Sequence, residues 1–249
     1  AIQPGVQIRK GTRIGWVGKE GASGGWTHLH FEIKCRQPSG GWGTLAANAL
    51  LREAYMHEYQ PEILACARNR HLVMSGDTVT LEASLSWSRD PITAYEWQFT
   101  DGTTTSGVQV KHTYTRPGDY SEIVKITDAT GRVDYDFAMV QVLDPEMPDK
   151  YVPGIHIAHE PTLGIKPGDS ITFTVRAFGF DGGEEVWDFG DGSPEVHTQS
   201  GRSTNPHAPD GYTFIEHAYE KSGHYIVHTY RENSDGKQGH AHLHVTVGE

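Results

Sequence analysis

At 249 residues the chain is long for one compact domain and fits two or three. A formal charge of −11 excludes the clustered Lys and Arg that a nucleic acid or an anionic membrane surface would select, and no apolar run reaches the length of a membrane span. Twenty-nine glycines and thirteen prolines beside 36% hydrophobic residues suit a turn-rich, mainly β protein with real cores rather than a disordered one.

Residues 1–36 read as short strands joined by glycine turns. Val6 and Ile8 alternate, as do Ile14 and Trp16, and Leu29, Phe31 and Ile33 alternate opposite His28 and His30. Side chains two apart on a strand share a face, so His28 and His30 project side by side. A Gly/Ser-rich patch at 37–43 breaks this pattern. The stretch "TLAANALLREAYMHEYQPEILACARN" then predicts a helical connector over 43–70, with Leu50, Ala54 and Tyr55 as its packed stripe. Pro61 ends or kinks that helix, and a second short helical piece is expected after it. Cys35 and Cys66 could pair in an oxidising compartment or be buried thiols.

From about residue 71 the period becomes two, and an internal repeat appears. "GDTVTLEASLSWSRDPITAYEWQFTDG" answers "GDSITFTVRAFGFDGGEEVWDFGDG", and "HTYTRPGDY" (112–120) answers "HAYEKSGHY" (217–225). The register persists to the end of each copy, Val140 answering Val245. A Ser/Thr/Pro/Gly insertion, "HTQSGRSTNPHAPDGY", lengthens the second copy. Two units are therefore expected, 71–144 and 152–248, joined by the proline-punctuated "DPEMPDKYVPG". Their size and short strands suit immunoglobulin-like β-sandwiches, with Trp97 and Trp187 as equivalent buried anchors and two independent cores.

The strand-and-turn stretch "WDFGDG" with the later "HAY" and "GHY" resembles the PKD (polycystic kidney disease) domain. The first copy carries the same pattern as "WQFTDG", "HTY" and "GDY", departing at Gln98 and Thr100. The resemblance implies extracellular spacers or binding modules, which by itself does not define a function.

The stretch "GASGGWTHLHFE" (21–32), following a glycine-punctuated hairpin, resembles the C-terminal part of lysostaphin/LytM-type zinc metallopeptidases. That resemblance implies a fragment of a peptidase β-domain over 1–36, with His30 as a zinc ligand and His28 as the catalytic residue beside the metal-bound water. A catalytic zinc needs three protein ligands and an open position. The family's other two, a His and an Asp, lie upstream of this pair, and no histidine precedes His28 here. The expectation is the C-terminal portion of a secreted or cell-envelope zinc peptidase acting on peptidoglycan cross-links, this stretch alone holding zinc weakly and being inactive. The partners implied are peptidoglycan or another extracellular protein or polysaccharide. The alternative is a non-catalytic extracellular binding or spacer protein with a degenerate peptidase relic.

Other candidates carry less. His240, His242 and His244 alternate on the last strand without a glycine elbow, and read as a solvated strand face. Asp134 and Asp136 read the same way. Asp188 and Asp191 of "WDFGDG" are candidates for calcium, although turn hydrogen bonds explain them more simply.

Overall fold

The computed structural model describes residues 5–9, 12, 33–45, 47–67, 70–147, 152–201 and 211–248. They divide into two compact units, one ending at Gln60 and the other starting at Pro61. The first contains an antiparallel pair, β1 (Ile33–Arg36) and β2 (Trp42–Leu45), followed by α1 (Asn48–Tyr59). The helix stops where expected, with Gln60 in a left-handed conformation at φ 45° and Pro61 next in the chain. Its expected packed stripe is not seen. Leu50, Leu51, Tyr55 and Tyr59 are exposed, because charged residues are interspersed around the whole helix and leave no continuous apolar face.

The second unit is mainly β. Its first half contains β3 (Ile63–Leu64), β4 (Arg70–Met74), β5 (Thr78–Glu82), β6 (Trp87–Ser88), β7 (Ile92–Gln98), β8 (Thr104–Ser106), β9 (Gln109–Thr113), β10 (Gly118–Asp128) and β11 (Val133–Leu143). Its second half contains β12 (Gly154–Glu160), β13 (Ile171–Phe178), β14 (Glu185–Asp188), β15 (Val196–Thr198), β16 (Thr213–His217), β17 (Gly223–Glu232) and β18 (Gln238–Val247). Each half is a sandwich with its own core. Leu81, Trp97, Val124, Ile126 and Val140 centre the first, and Ile171, Phe173, Trp187, Val227 and Val245 the second.

The expected helical piece after Pro61 is an extended segment instead. It packs Ala65 and Ala67 into the first core. Its backbone is held by the two carboxylates read as solvated: Asp134 accepts from the Ala65 N–H and Asp136 from the Ala67 N–H, each at 2.8 Å. Both sit on the inner side of β11, in register with the core residues Ala138 and Val140. A strand supplying two acceptors to a neighbouring backbone satisfies donors that a buried segment cannot leave unpaired.

Equivalent residues of the repeat build equivalent structures. Trp97 and Trp187 are both buried, at 1% and 0% exposure. Phe99 stacks on His112 and Phe189 on His217, each pair with ring centroids 4.0 Å apart. Each histidine then meets a tyrosine edge, Tyr114 or Tyr219. The Tyr120 and Tyr225 hydroxyls close their own turns on the carbonyls of Arg116 and Lys221.

The departures of the first copy are linked to each other. In the second copy Asp188 accepts the Gly190 N–H at 2.8 Å, and Gly190 lies at φ 75° with room for no Cβ, since one would stand 2.5 Å from the Ile226 carbonyl oxygen. Only glycine serves there. In the first copy Thr100 keeps an ordinary φ and its N–H donates instead to Glu122 at 2.7 Å, a buried carboxylate standing where the second copy has Val227. Burial pushes Glu122 up to about 7, although the Thr100 N–H works against that shift.

Candidate functional site

The two sandwiches are not independent. The start of β18 pairs in parallel with the start of β10, Gly118 opposite Gln238 and Asp119 opposite Gly239, so one sheet of nine strands runs through both halves among the described residues. Close approach is what the glycines allow. A Cβ on Gly118 would stand 2.7 Å from the Gln238 carbonyl oxygen, whereas Gly239 makes room within the second sandwich, for the Phe180 ring. Burial beneath this junction raises Asp119 to about 6, Arg70 partly opposing it.

Beside this pairing the outer faces of β10–β11 and β17–β18 meet, and here the histidines read as solvated are found covered. They point away from the second core, as alternation requires, but they point at the first sandwich. His242 stacks on Phe137 at 5.5 Å, and His240 on Tyr120 at 5.8 Å. His244 meets the Tyr135 ring edge and places Nδ1 3.3 Å from an Asp134 carboxylate oxygen. His228 of β17 completes the group, stacked on His242 at 4.4 Å with Nε2 3.1 Å from His240 Nδ1.

A stack of imidazoles at such distances is stable only when its rings are neutral. Burial lowers His228 to about 4 and His240 to about 3, the latter also through its neighbour His228, and it takes His242 well below the ordinary value. His224 and His244 form a more exposed pair, with Nδ1 and Nε2 2.8 Å apart. Among the described residues no group of three or more His, Cys, Asp or Glu side chains is placed to hold a metal ion. Asp188 and Asp191 serve the turn: each accepts the backbone N–H two residues on, and Asp191 also pairs with His217 at 2.8 Å. His28 and His30 lie outside the described residues.

A family model of the PKD domain matches residues 59–142, and another matches residues 154–247. The chain belongs to the PKD-domain family. It carries two PKD domains, and the His/Phe/Tyr face lies between them. Solved structures similar to this chain include one described as carbohydrate-binding modules from the beta-sandwich superfamily (14% identity, 76% of this chain and 92% of that one, TM-score 0.31). Others are the two tandem V-type regions of VCBP3 (11%, 75% and 100%, TM-score 0.36) and the Bacteroides ovatus SGBP-B in complex with a mixed-linkage heptasaccharide (16%, 75% and 47%, TM-score 0.27). Likenesses this distant say nothing about what the chain binds.

A buried ion pair in the second PKD domain was missed by the sequence reading. Arg231 donates to Glu185 at 2.7 Å and to the Ser200 carbonyl at 3.1 Å, while Ser200 donates both its N–H and its hydroxyl to Glu185. Thr198 donates to the other Glu185 oxygen and accepts from the Trp187 indole N–H at 3.0 Å. The insertion read as a loop therefore opens with a strand and a buried serine. A signal was present in the repeat register: Glu185 and Arg231 answer Tyr95 and Ile126, which face each other across the first domain's strands. An apolar cross-strand pair in one copy becomes an ion pair in the other.

Proposed function

We propose that this chain works as an extracellular binding or spacer element whose two PKD domains act as one stiff body. The observation that carries this is the sheet running unbroken through the β10–β18 junction, flanked by a buried aromatic and histidine contact. Flexible tandem domains meet through small polar interfaces and a free linker; these two share backbone hydrogen bonds. PKD domains are typically extracellular, and among the described residues no helix is long and apolar enough to cross a membrane. Spin labels on Thr80 and Glu216, one on each domain, should give a single narrow distance distribution in the full chain. Gly118→Val, whose side chain collides with the Gln238 carbonyl, should broaden it while each domain stays folded. A broad distribution in the unaltered protein would defeat the proposal.

The "GASGGWTHLHFE" stretch favours a second reading, in which this stiff body follows the zinc peptidase that the stretch resembles. His30 would then hold the metal, and His28 would act beside its water. In any form of the protein in which an upstream His and Asp complete the ligand set, His30→Ala should remove stoichiometric zinc, and retention of the zinc would rule this reading out.

A further inference from the structure

Where the two PKD domains meet, their outer faces leave an open cleft of about 730 Å³. That is within the range of roughly 300–1,000 Å³ in which small-molecule sites fall. Neither domain has it alone. The first contributes Glu96 and Gln98 from β7 and Lys125 from β10, and the second contributes Asp188 from β14 and His228 from β17. Ile123 and Ile226 bring apolar surface, and Tyr135 adds a half-buried ring.

The chemistry of this lining selects against anions. Glu96 and Lys125 pair at 3.2 Å and cancel each other. An anion would meet the Asp188 carboxylate, which no further cation of the lining balances. What remains is a dense set of hydrogen-bonding groups, Gln98, Thr104, Thr105 and Ser106 among them, next to aliphatic and aromatic surface. Hydroxyl groups can both donate to the carboxylates and accept from the amide and ammonium groups, while the C–H faces of a sugar ring lie on Ile and Tyr surface. We propose that this cleft is a binding site for a short, uncharged oligosaccharide held by both domains at once.

This inference rests on the binding half of the function proposed above, and the two can fail separately. A narrow distance distribution in a protein that binds no sugar leaves the stiff body standing and defeats only the site. Amide and indole NMR signals of the full chain are to be followed with cellohexaose, chitohexaose, xylohexaose and laminarihexaose, each up to about 10 mM. At least one should shift resonances of β7, β10 and β17 together. Gln98→Ala in the first domain and Asp188→Asn in the second should each weaken binding at least about fivefold, the scale of a lost hydrogen bond. Asparagine keeps an oxygen for the Gly190 N–H, so that fold element survives. Three results would overturn the inference: no shift with any of the four sugars, shifts confined to one domain, or binding unchanged in both variants. Stronger displacement of the same signals by a charged peptide would overturn it too.

Discussion

Trp187→Ala is expected to cost the second PKD domain about 3–5 kcal/mol, the scale of an aromatic-to-alanine change in a closed core. The ring is fully buried, stacks near-parallel on Phe189 at 6.0 Å and meets Phe173 at 6.1 Å. The loss goes beyond packing. Without the indole N–H, Thr198 keeps only its bond to Glu185, in a network that holds Arg231, and a weakened buried ion pair is costly. Trp97→Ala should lie toward the lower end of the same range, because its indole bonds only the Gly107 carbonyl, at 2.9 Å, and no ion pair depends on it. Urea unfolding of both variants is the measurement. A loss below about 1 kcal/mol for Trp187→Ala would mean that the site collapses around the gap and that the network is not anchored by the indole. The cores are separate, as the repeat implied, but the junction means that damage to one domain should also loosen its contact with the other.

Acidification should move the two domains in opposite directions. His228, His240 and His242 have folded values below the ordinary one, so the stability they confer is complete above about 6.5 and is lost as pH falls toward about 4 for His228 and about 3 for His240. Each histidine of this kind costs on the order of 2 kcal/mol by about pH 5, reduced where neighbouring rings cannot all be charged together. Asp188 near His228 moderates this without cancelling it, since the rings face one another and Phe137 and Tyr120 rather than carboxylates. Glu122 and Asp119 are the reverse case. Their folded values are raised, so what they contribute is complete below the ordinary carboxylate range and is lost as pH rises through about 7 and about 6. Between pH 7.5 and 5 (roughly the span of these shifts), hydrogen exchange should quicken in β17 and β18 and slow in β10. Replacing His242 by Phe, the residue that Phe137 supplies at the same position of the other copy, should flatten the response of the second domain. Parallel changes in both domains would contradict the assignment.

Much of this architecture is legible in the sequence. The two-residue period, the tryptophans and the H-x-Y and G-x-Y turns all report on contacts within one copy, and local alternation encodes such contacts directly. Faces that alternation calls outward are another matter. A histidine pointing away from its own core looks solvated in sequence whether water or a second domain covers it. His240, His242 and His244 were misread for that reason, and Asp134 and Asp136 because the segment they bind lies 69 residues away. Comparison of the copies carried more than either copy did alone. Ile123, Tyr135 and Phe137 stand where the second copy has His228, His240 and His242, and an apolar outward face is a face awaiting cover.

Phe137 and His242 occupy the same place in their respective copies and stack on each other. At that stack corresponding surfaces meet, while the strand pairing beside it joins β10 to β18, whose counterparts are β17 and β11. A head-to-tail contact leaves a fresh copy of each surface at either end and invites a third unit, then a fourth, whereas a contact between like surfaces uses up both and closes. Any further PKD copy on the same polypeptide would find the Phe137 and His242 faces already spent on each other and would need a different surface to stack on.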